Sequence, residues 1–311
     1  MFITQKLIAS LALLAIPAAA GPLLYVVNIA QQFGSVDTAS GTFQQIGPGL
    51  PEGMDGLAAG PNGSLLGISY ASNLYSINPA TGISKFVGPT GLGDCTVPDA
   101  SPCGPTSNLT LGASAGKVYA TDFENRLYSV NPLTGAATLI GSTGIPAVPF
   151  IPGSLNPNGT LNFYDQALFD AEGTLYATFD AWVFDPATFA VANISLAPEL
   201  FRIDTSTGLA TLIGSTDLGI GAVAAVNGTY YALNNQAGNI SSLSLTNGNT
   251  TFVSSFDPVG STFFGAAAAP APEPFSLALT GIGLAALGVC RRRRSLENID
   301  DESAEPGVPA P

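Results

Sequence analysis

Between residues 23 and 268 the apolar positions come in short runs, separated by polar turns that contain glycine. One fifteen-residue pattern recurs five times: FGSVDTASGTFQQIG from Phe33, LYSINPATGISKFVG from Leu74, LYSVNPLTGAATLIG from Leu127, LFRIDTSTGLATLIG from Leu200 and the weaker ISSLSLTNGNTTFVS from Ile240. Glycine holds the ninth position each time, at Gly41, Gly82, Gly135, Gly208 and Gly248. A short hairpin loop needs one residue at positive φ, and glycine takes it at least steric cost. Each copy therefore predicts a β-hairpin. Upstream of four copies lies another hairpin, with Gly63, Gly116, Gly173 or Gly228 in its turn. A full unit is then four short strands, a to d, and the c strands start 41, 53, 73 and 40 residues apart. Four-stranded units at such a period predict an all-β protein, a β-propeller of five blades. A parallel β-helix, built on shorter repeats, is the competing architecture.

The first copy lacks its a strand. The sequence STFFGAAA, residues 261–268, resembles the other inner strands and supplies it, so the last strand closes the ring and no open edge remains. The segment WVFDPATFAVANI from Trp182 lacks a turn glycine and reads as an insertion between strands b and c of blade four. Strands alternate in direction, so the a–b and c–d turns share one face, while b–c loops and d-to-a connections share the other. The three long connections, 89–106, 142–163 and 180–198, all fall on that second face. Connections of this length in a compact domain commonly carry function. They hold Phe150, Phe163, Trp182, Phe184 and Phe189, which are the candidate binding-face residues; the competing reading is that these aromatics pack the loops onto the ring.

Composition fits many turns and few charges: 36 glycines, 24 prolines, 10% charged residues and no histidine in 311 residues. The net charge is −13, and between residues 21 and 270 sixteen acidic residues face only Lys85, Lys117, Arg126 and Arg202. Such a surface repels nucleic acid and anionic lipid. Residues 1–20 read as a secretory signal peptide, with Lys6, an apolar core over 7–16 and Ala18-Ala19-Ala20 before the cleavage point. In the oxidising compartment that this implies, Cys95 and Cys103, in GDCTVPDASPCGP, read as a loop-closing disulfide; metal binding by two cysteines is the alternative.

The absence of histidine excludes a Ser–His–Asp triad and an HExxH zinc site. No P-loop or dinucleotide fingerprint is present, and no motif calls for a cofactor or metal. Paired carboxylates can hydrolyse glycosides, and Asp165, Asp170, Glu172 and Asp180 gather around one hairpin. Acidic residues at strand ends also serve simply as solvated turns.

The C-terminal stretch has a different organisation. Pro272, Glu273 and Pro274 precede sixteen mostly apolar residues, 275–290, and then Arg291, Arg292, Arg293 and Arg294. As a helix the run spans about 24 Å, against about 30 Å of bilayer hydrocarbon, and snorkelling arginines make up the difference. The expectation is a transmembrane helix over 275–290 with the arginines on the cytoplasmic side. Residues 295–311 carry five acidic residues and no base, and read as a disordered acidic cytoplasmic tail.

This order of elements, 269–294, resembles the PEP-CTERM sorting segment of Gram-negative bacteria. It differs from that family's usual form in the seventeen residues that follow the arginines. The resemblance implies an exported protein held at the inner membrane, processed near Pro272–Pro274 by an exosortase-type enzyme, and associated with exopolysaccharide at the cell surface. Together with the repeat it leads to a non-enzymatic surface or matrix propeller that meets extracellular polysaccharide or another envelope protein. A carbohydrate-active hydrolase or lyase on the same scaffold is the alternative.

Overall fold

The structure, a computed structural model, describes residues 21–92, 109–122, 124–147, 155–188, 190–256 and 262–268. The chain divides after Ala269 into two units, and every described residue belongs to the first. The signal peptide, Cys95, Cys103, Phe150, Phe189, and the sorting, membrane and tail segments from 269 onward lie outside the described residues.

Among the described residues twenty strands form five four-stranded antiparallel sheets. Blade one contains β1 (Leu23–Asn28), β2 (Phe33–Asp37) and β3 (Phe43–Gln45). Blade two contains β4 (Met54–Ala59), β5 (Leu65–Ser69), β6 (Asn73–Ile77) and β7 (Ser84–Pro89). Blade three contains β8 (Thr110–Ser114), β9 (Lys117–Thr121), β10 (Arg126–Val130) and β11 (Ala137–Ser142). Blade four contains β12 (Leu161–Ala171), β13 (Thr174–Asp185), β14 (Ala190–Ile203) and β15 (Ala210–Ser215). Blade five contains β16 (Ile220–Val226), β17 (Thr229–Asn234), β18 (Asn239–Leu243) and β19 (Thr250–Ser255). The last strand, β20 (Phe263–Ala268), pairs with β1 and completes blade one, in the order β20-β1-β2-β3. The inner strands β4, β8, β12, β16 and β20 pack side by side in a closed ring around the central channel. Five blades and the terminal closing strand match the reading from the repeat. Among the described residues no helix is long and apolar enough to cross a membrane.

The turn chemistry follows from the repeat. All five ninth-position glycines sit at positive φ, between +66° at Gly82 and +88° at Gly208. Each glycine N–H closes back on the carbonyl four residues earlier, at 2.7–2.9 Å. In blades one to four that earlier residue is Asp37, Asn78, Asn131 or Asp204, and its side-chain oxygen also accepts a backbone N–H two residues on. Asp and Asn stabilise such turns by this local bond.

Fifteenth-position glycines have a second reason, absent from any local rule. The c–d turn of each blade seats on the outer strand of the preceding one. A Cβ added at Gly141 would come 2.2 Å from the carbonyl oxygen of Thr207, in the turn of blade four. Ala210 N–H beside that turn donates to the Thr143 carbonyl at 2.9 Å. The weak fifth copy has Ser254 in this place, and its hydroxyl donates to the Thr38 carbonyl at 2.8 Å, where blade five meets blade one.

The core is five interblade layers rather than one centre. Leu24, Val36, Leu233, Ile240 and Phe263 join blades five and one; Phe33, Met54, Leu57 and Ile77 join one and two. Leu66, Leu74, Leu111 and Val118 join two and three, Tyr119, Leu175 and Phe179 join three and four, and Phe169, Leu200 and Val223 join four and five. Each such side chain contributes roughly 1.5–3 kcal/mol on burial. Sandwiched sheets bury both faces, so β5 is buried at every position, while the outer β11 is mostly open.

Blade four departs from the sequence reading. The segment from Trp182 is not a loop: β12, β13 and β14 run on as ordered strands of 11, 12 and 14 residues. Likewise Leu161, Asn162 and Phe163 are strand. A long loop would leave its backbone groups unpaired, whereas the ladder satisfies them. Bulges between Phe179 and Ala181, at Ala181/Trp182 and at Val183/Phe184 let the hairpin continue past the ring. No glycine marks its turn because Asp185 does that work: its carboxylate accepts from Ala187 N–H and from the Thr188 hydroxyl, both at 2.9 Å.

Candidate functional site

The extension of blade four rises on the face of the b–c loops and d-to-a connections. Its root is a pair of carboxylates. Asp165 on β12 and Asp180 on β13 are direct antiparallel partners, and so are Phe163 and Trp182 one step further out. Direct partners put their side chains on the same side of a sheet. Asp165, Asp180 and Trp182 are buried, whereas Phe163 and Phe184 are half-buried.

The three aromatics form one cluster. Phe163 stacks on Trp182 with centroids 4.6 Å apart and planes 16° apart. Phe184 meets both rings edge-on, at 6.1 and 6.3 Å. Such pairs contribute about 0.5–1.5 kcal/mol each beyond burial. The indole Nε1 donates to Asp165 Oδ2 at 2.9 Å, so the aromatic layer and the acidic layer are tied together. Trp182 is thus a packing residue with its polar handle satisfied, and the accessible apolar surface comes from Phe163, Phe184, Leu155 (68% exposed) and Ile194 (49% exposed). The reciprocal amide pair Asn156 and Asn162, 3.0 Å in both directions, holds the incoming chain against β12.

Among the described residues no cation pairs with the acidic layer. Asp180 Oδ2 accepts from Gly219 N–H at 2.7 Å, while its Oδ1 is buried without a hydrogen-bond partner. Burial raises the Asp180 carboxyl well above the usual range, the neighbouring Asp165 charge raises it further, and backbone N–H groups of Gly219 and Asp165 oppose this. Burial also raises Asp165, against the bonds from Trp182 and the Asn235 amide. Asp55, at the start of β4, is raised by burial and only partly relieved by Leu109 N–H at 3.3 Å. Its charge adds to the effect of burial in pushing the Tyr70 phenol up.

Neutral partners close the rest of this mouth. Thr121 donates to Gln166 Oε1 at 3.0 Å, the Tyr164 hydroxyl donates to Asn125 Oδ1, and Asn125 Nδ2 donates to the Pro146 carbonyl at 2.7 Å. Asn235 bonds both backbone groups of Phe263, each at 2.9 Å, and so secures the start of the closing strand. What remains is a cavity of about 20 Å³ lined by Asp55, Tyr164, Asp165, Gln166 and Phe264 among others. That is the size of one water. Among the described residues no group of three or more Asp, Glu, Cys or His is placed to share a metal ion.

The structure brings together Phe163, Trp182, Phe184, Asp165 and Asp180. Asp170 and Glu172 lie at the opposite end of β12, beside the β12–β13 turn. Asp55, Gln166 and Asn235 were missed in the sequence. The available signal was a charged or amide side chain inside or directly after an inner-blade strand, as in MDGLAA, where an apolar residue is expected.

No family model matches the chain, and no curated protein matches it. Solved structures do. The chain is similar to a chain of the nidogen/laminin complex, at 11% identity and a TM-score of 0.44, covering 79% of this chain and 97% of that one. It is similar to a structural-genomics protein of unknown function from Bacteroides thetaiotaomicron, at 13% and 0.45, covering 76% of this chain and 56% of that one. A third is virginiamycin B lyase from Staphylococcus aureus, at 15% and 0.36, covering 76% and 71%.

Proposed function

We propose that this chain is an exported surface or matrix protein, tethered through its C-terminal segment and handled by an exosortase-type enzyme, whose propeller recognises extracellular polysaccharide or an envelope protein. The observation that carries the reading is the extension of blade four. It lifts Phe163 and Phe184 beyond the ring, braced from behind by buried Trp182. Rigid aromatic surface held on strands suits stacking against sugar rings or apolar side chains. Strand pairing adds a geometric argument. Leu24 pairs with Ala268, so both ends of the described ring emerge at the tight-turn face, opposite the extension. A tether leaving there points the extended face away from the membrane.

The non-enzymatic reading is supported by the fate of the carboxylates. Asp165 and Asp180 are both buried, and the cavity that Asp165 lines is about 20 Å³, too small for a sugar ring. Binding of the full chain to arrayed glycans and envelope extracts, with and without Phe163→Ala plus Phe184→Ala, tests the recognition. The expected result is retention without turnover, reduced at least tenfold in the double variant. Glycan cleavage that Asp165→Asn abolishes would replace this reading by the hydrolase or lyase. Mass spectrometry of the C-terminus, alongside replacement of Arg291 to Arg294 by serine, tests the handling; unchanged membrane retention in the variant removes the arginines from the mechanism.

A further inference from the structure

At the tight-turn end the same channel has different walls. The inner strands finish in small residues, among them Ala58, Ala113, Ala225 and Ala266, around a cup of about 200 Å³ closed at its base by Leu57 and Leu168. A second hollow of about 310 Å³ opens beside it, over Pro61 and the β8–β9 turn. Asp170 borders both. Three buried side-chain atoms among the described residues lack a hydrogen-bond partner: Asp180 Oδ1, described above, and Asp170 Oδ1 and Ser114 Oγ, which both belong here. Ser114 lines the second hollow. An unsatisfied buried polar group is costly, and two at one opening are a standing demand for a donor.

The charges near the opening are two carboxylates and one exposed lysine. Among the described residues Asp170 Oδ2 accepts only the Gly173 N–H, at 3.3 Å, and Glu172 lies in the same turn. Among the described residues the ion pairs are those of Arg126 with Asp122 and Glu124, at the other face. Lys117, in register with Ser114 across β8 and β9, is exposed and makes no ion pair with Asp170 among the described residues. Phe169 lines the cup but is buried, stacked on Tyr176 at 5.8 Å and 6.2 Å from Tyr230. The Tyr230 phenol is pushed up, first by burial and then by the charges of Glu172, Tyr176 and Asp170.

We propose that this cup is a binding site for a small organic cation, with its apolar body among the alanines and its protonated nitrogen at Asp170. Ser114, in the adjoining hollow that Asp170 also borders, accepts from a donor on a head that reaches past the carboxylate. The carboxylate sets the sign of the ligand and the small residues set its girth. The site is independent of recognition at the extended face.

The test uses the purified full chain in non-ionic detergent, with n-butylammonium as the probe and n-butanol and butyrate as isosteric controls, read by calorimetry. Butylammonium is expected to bind at least tenfold more tightly than either control. Asp170→Asn is expected to weaken it at least tenfold and Ser114→Ala by a few-fold, while Asp204→Asn, at an exposed turn, leaves it unchanged. Ala266→Val narrows the cup and provides a second variant that keeps the carboxylate; it is expected to lose longer alkylammonium ions first. Equal affinity for butanol, undiminished affinity in Asp170→Asn, or no binding of butylammonium overturns the proposal.

Discussion

The two mouths of one channel are built from the same five inner strands and are chemically opposite. At the extended face Asp55, Asp165, Gln166 and Phe264 of the inner strands stand around a space for one water. At the tight-turn face the strands end in alanines around an open cup. Between them Leu57, Leu168 and the close-packed glycines Gly221 and Gly265 fill the passage. The difference follows from what each end must connect. Short hairpins need only small residues at the strand ends and leave the centre open. Long connections bring in chain whose polar groups need partners, and the buried network Asp165–Trp182, Asp180–Gly219 and Asn235–Phe263 supplies them. One end is therefore closed by hydrogen bonds and the other is left hollow.

The largest expected effect breaks the closed end. Trp182→Ala removes the centre of the aromatic cluster and the donor to Asp165, and should cost about 3–5 kcal/mol in denaturant unfolding. Trp182→Phe keeps a ring on Phe163 and loses only the Nε1 bond, so it should cost about 1–3 kcal/mol. If the two variants are equally damaging, hydrogen bonding rather than packing holds the extension. Next comes the partition. Leu168 is 3% exposed and forms part of both the cup and the filled passage, so Leu168→Ala should cost about 2–5 kcal/mol and join the cup to the passage.

A smaller effect separates the ends by pH. Asp55, Asp165 and Asp180 have folded-state carboxyls raised above the ordinary 3.8, so the fold favours their protonated forms. That contribution is fully present below about 3.8 and is lost as pH rises through the raised values. Glu52 has the opposite sign. Burial raises its carboxyl, but bonds from Ser69, Tyr75 and Asn73 outweigh this and lower it below 4.5, so its contribution is lost on acidification instead. Melting followed from pH 5 to pH 8 should therefore fall with rising pH in the native chain and fall less in Asp180→Asn, the difference amounting to a few degrees. Identical slopes would mean that Asp180 does not titrate between pH 5 and pH 8 in the folded chain. The smallest effect belongs to the hollow end. Ser114→Ala deletes a hydroxyl with no partner and should leave stability unchanged or raise it by up to about 1 kcal/mol. A clear loss would show that this hydroxyl is hydrogen-bonded in solution.

Much of the ring was legible because its repeat encodes local geometry. Asn78 and Gly82, or Asp204 and Gly208, specify the same turn wherever they occur, and five such turns at blade-length spacing predict five blades. The closing strand was legible because FFGAAA has the small residues of an inner strand and blade one lacks its own. The extension of blade four was misread because its turn uses Asp185 instead of glycine. Its strands are also buried on varying sides, so the alternation that marks an ordinary strand is blurred. Of the acidic residues near β12, all four were visible, but nothing local separates the buried pair Asp165 and Asp180 from Asp170 and Glu172 at the far end.

The chain's own pattern thus determined the number of blades, their order, the closure by β20 and the face on which each connection lies. These depend on turn chemistry and strand direction, which act over a few residues. Tertiary structure alone decided that Gly141 must accept the turn of the next blade and that Trp182 braces the extension from inside. It also decided that one end of the channel is filled while the other is open. Each of these depends on the distance between residues that are far apart in the chain, such as Gly141 and Thr207 or Asp180 and Gly219, and only the closing of the ring sets those distances.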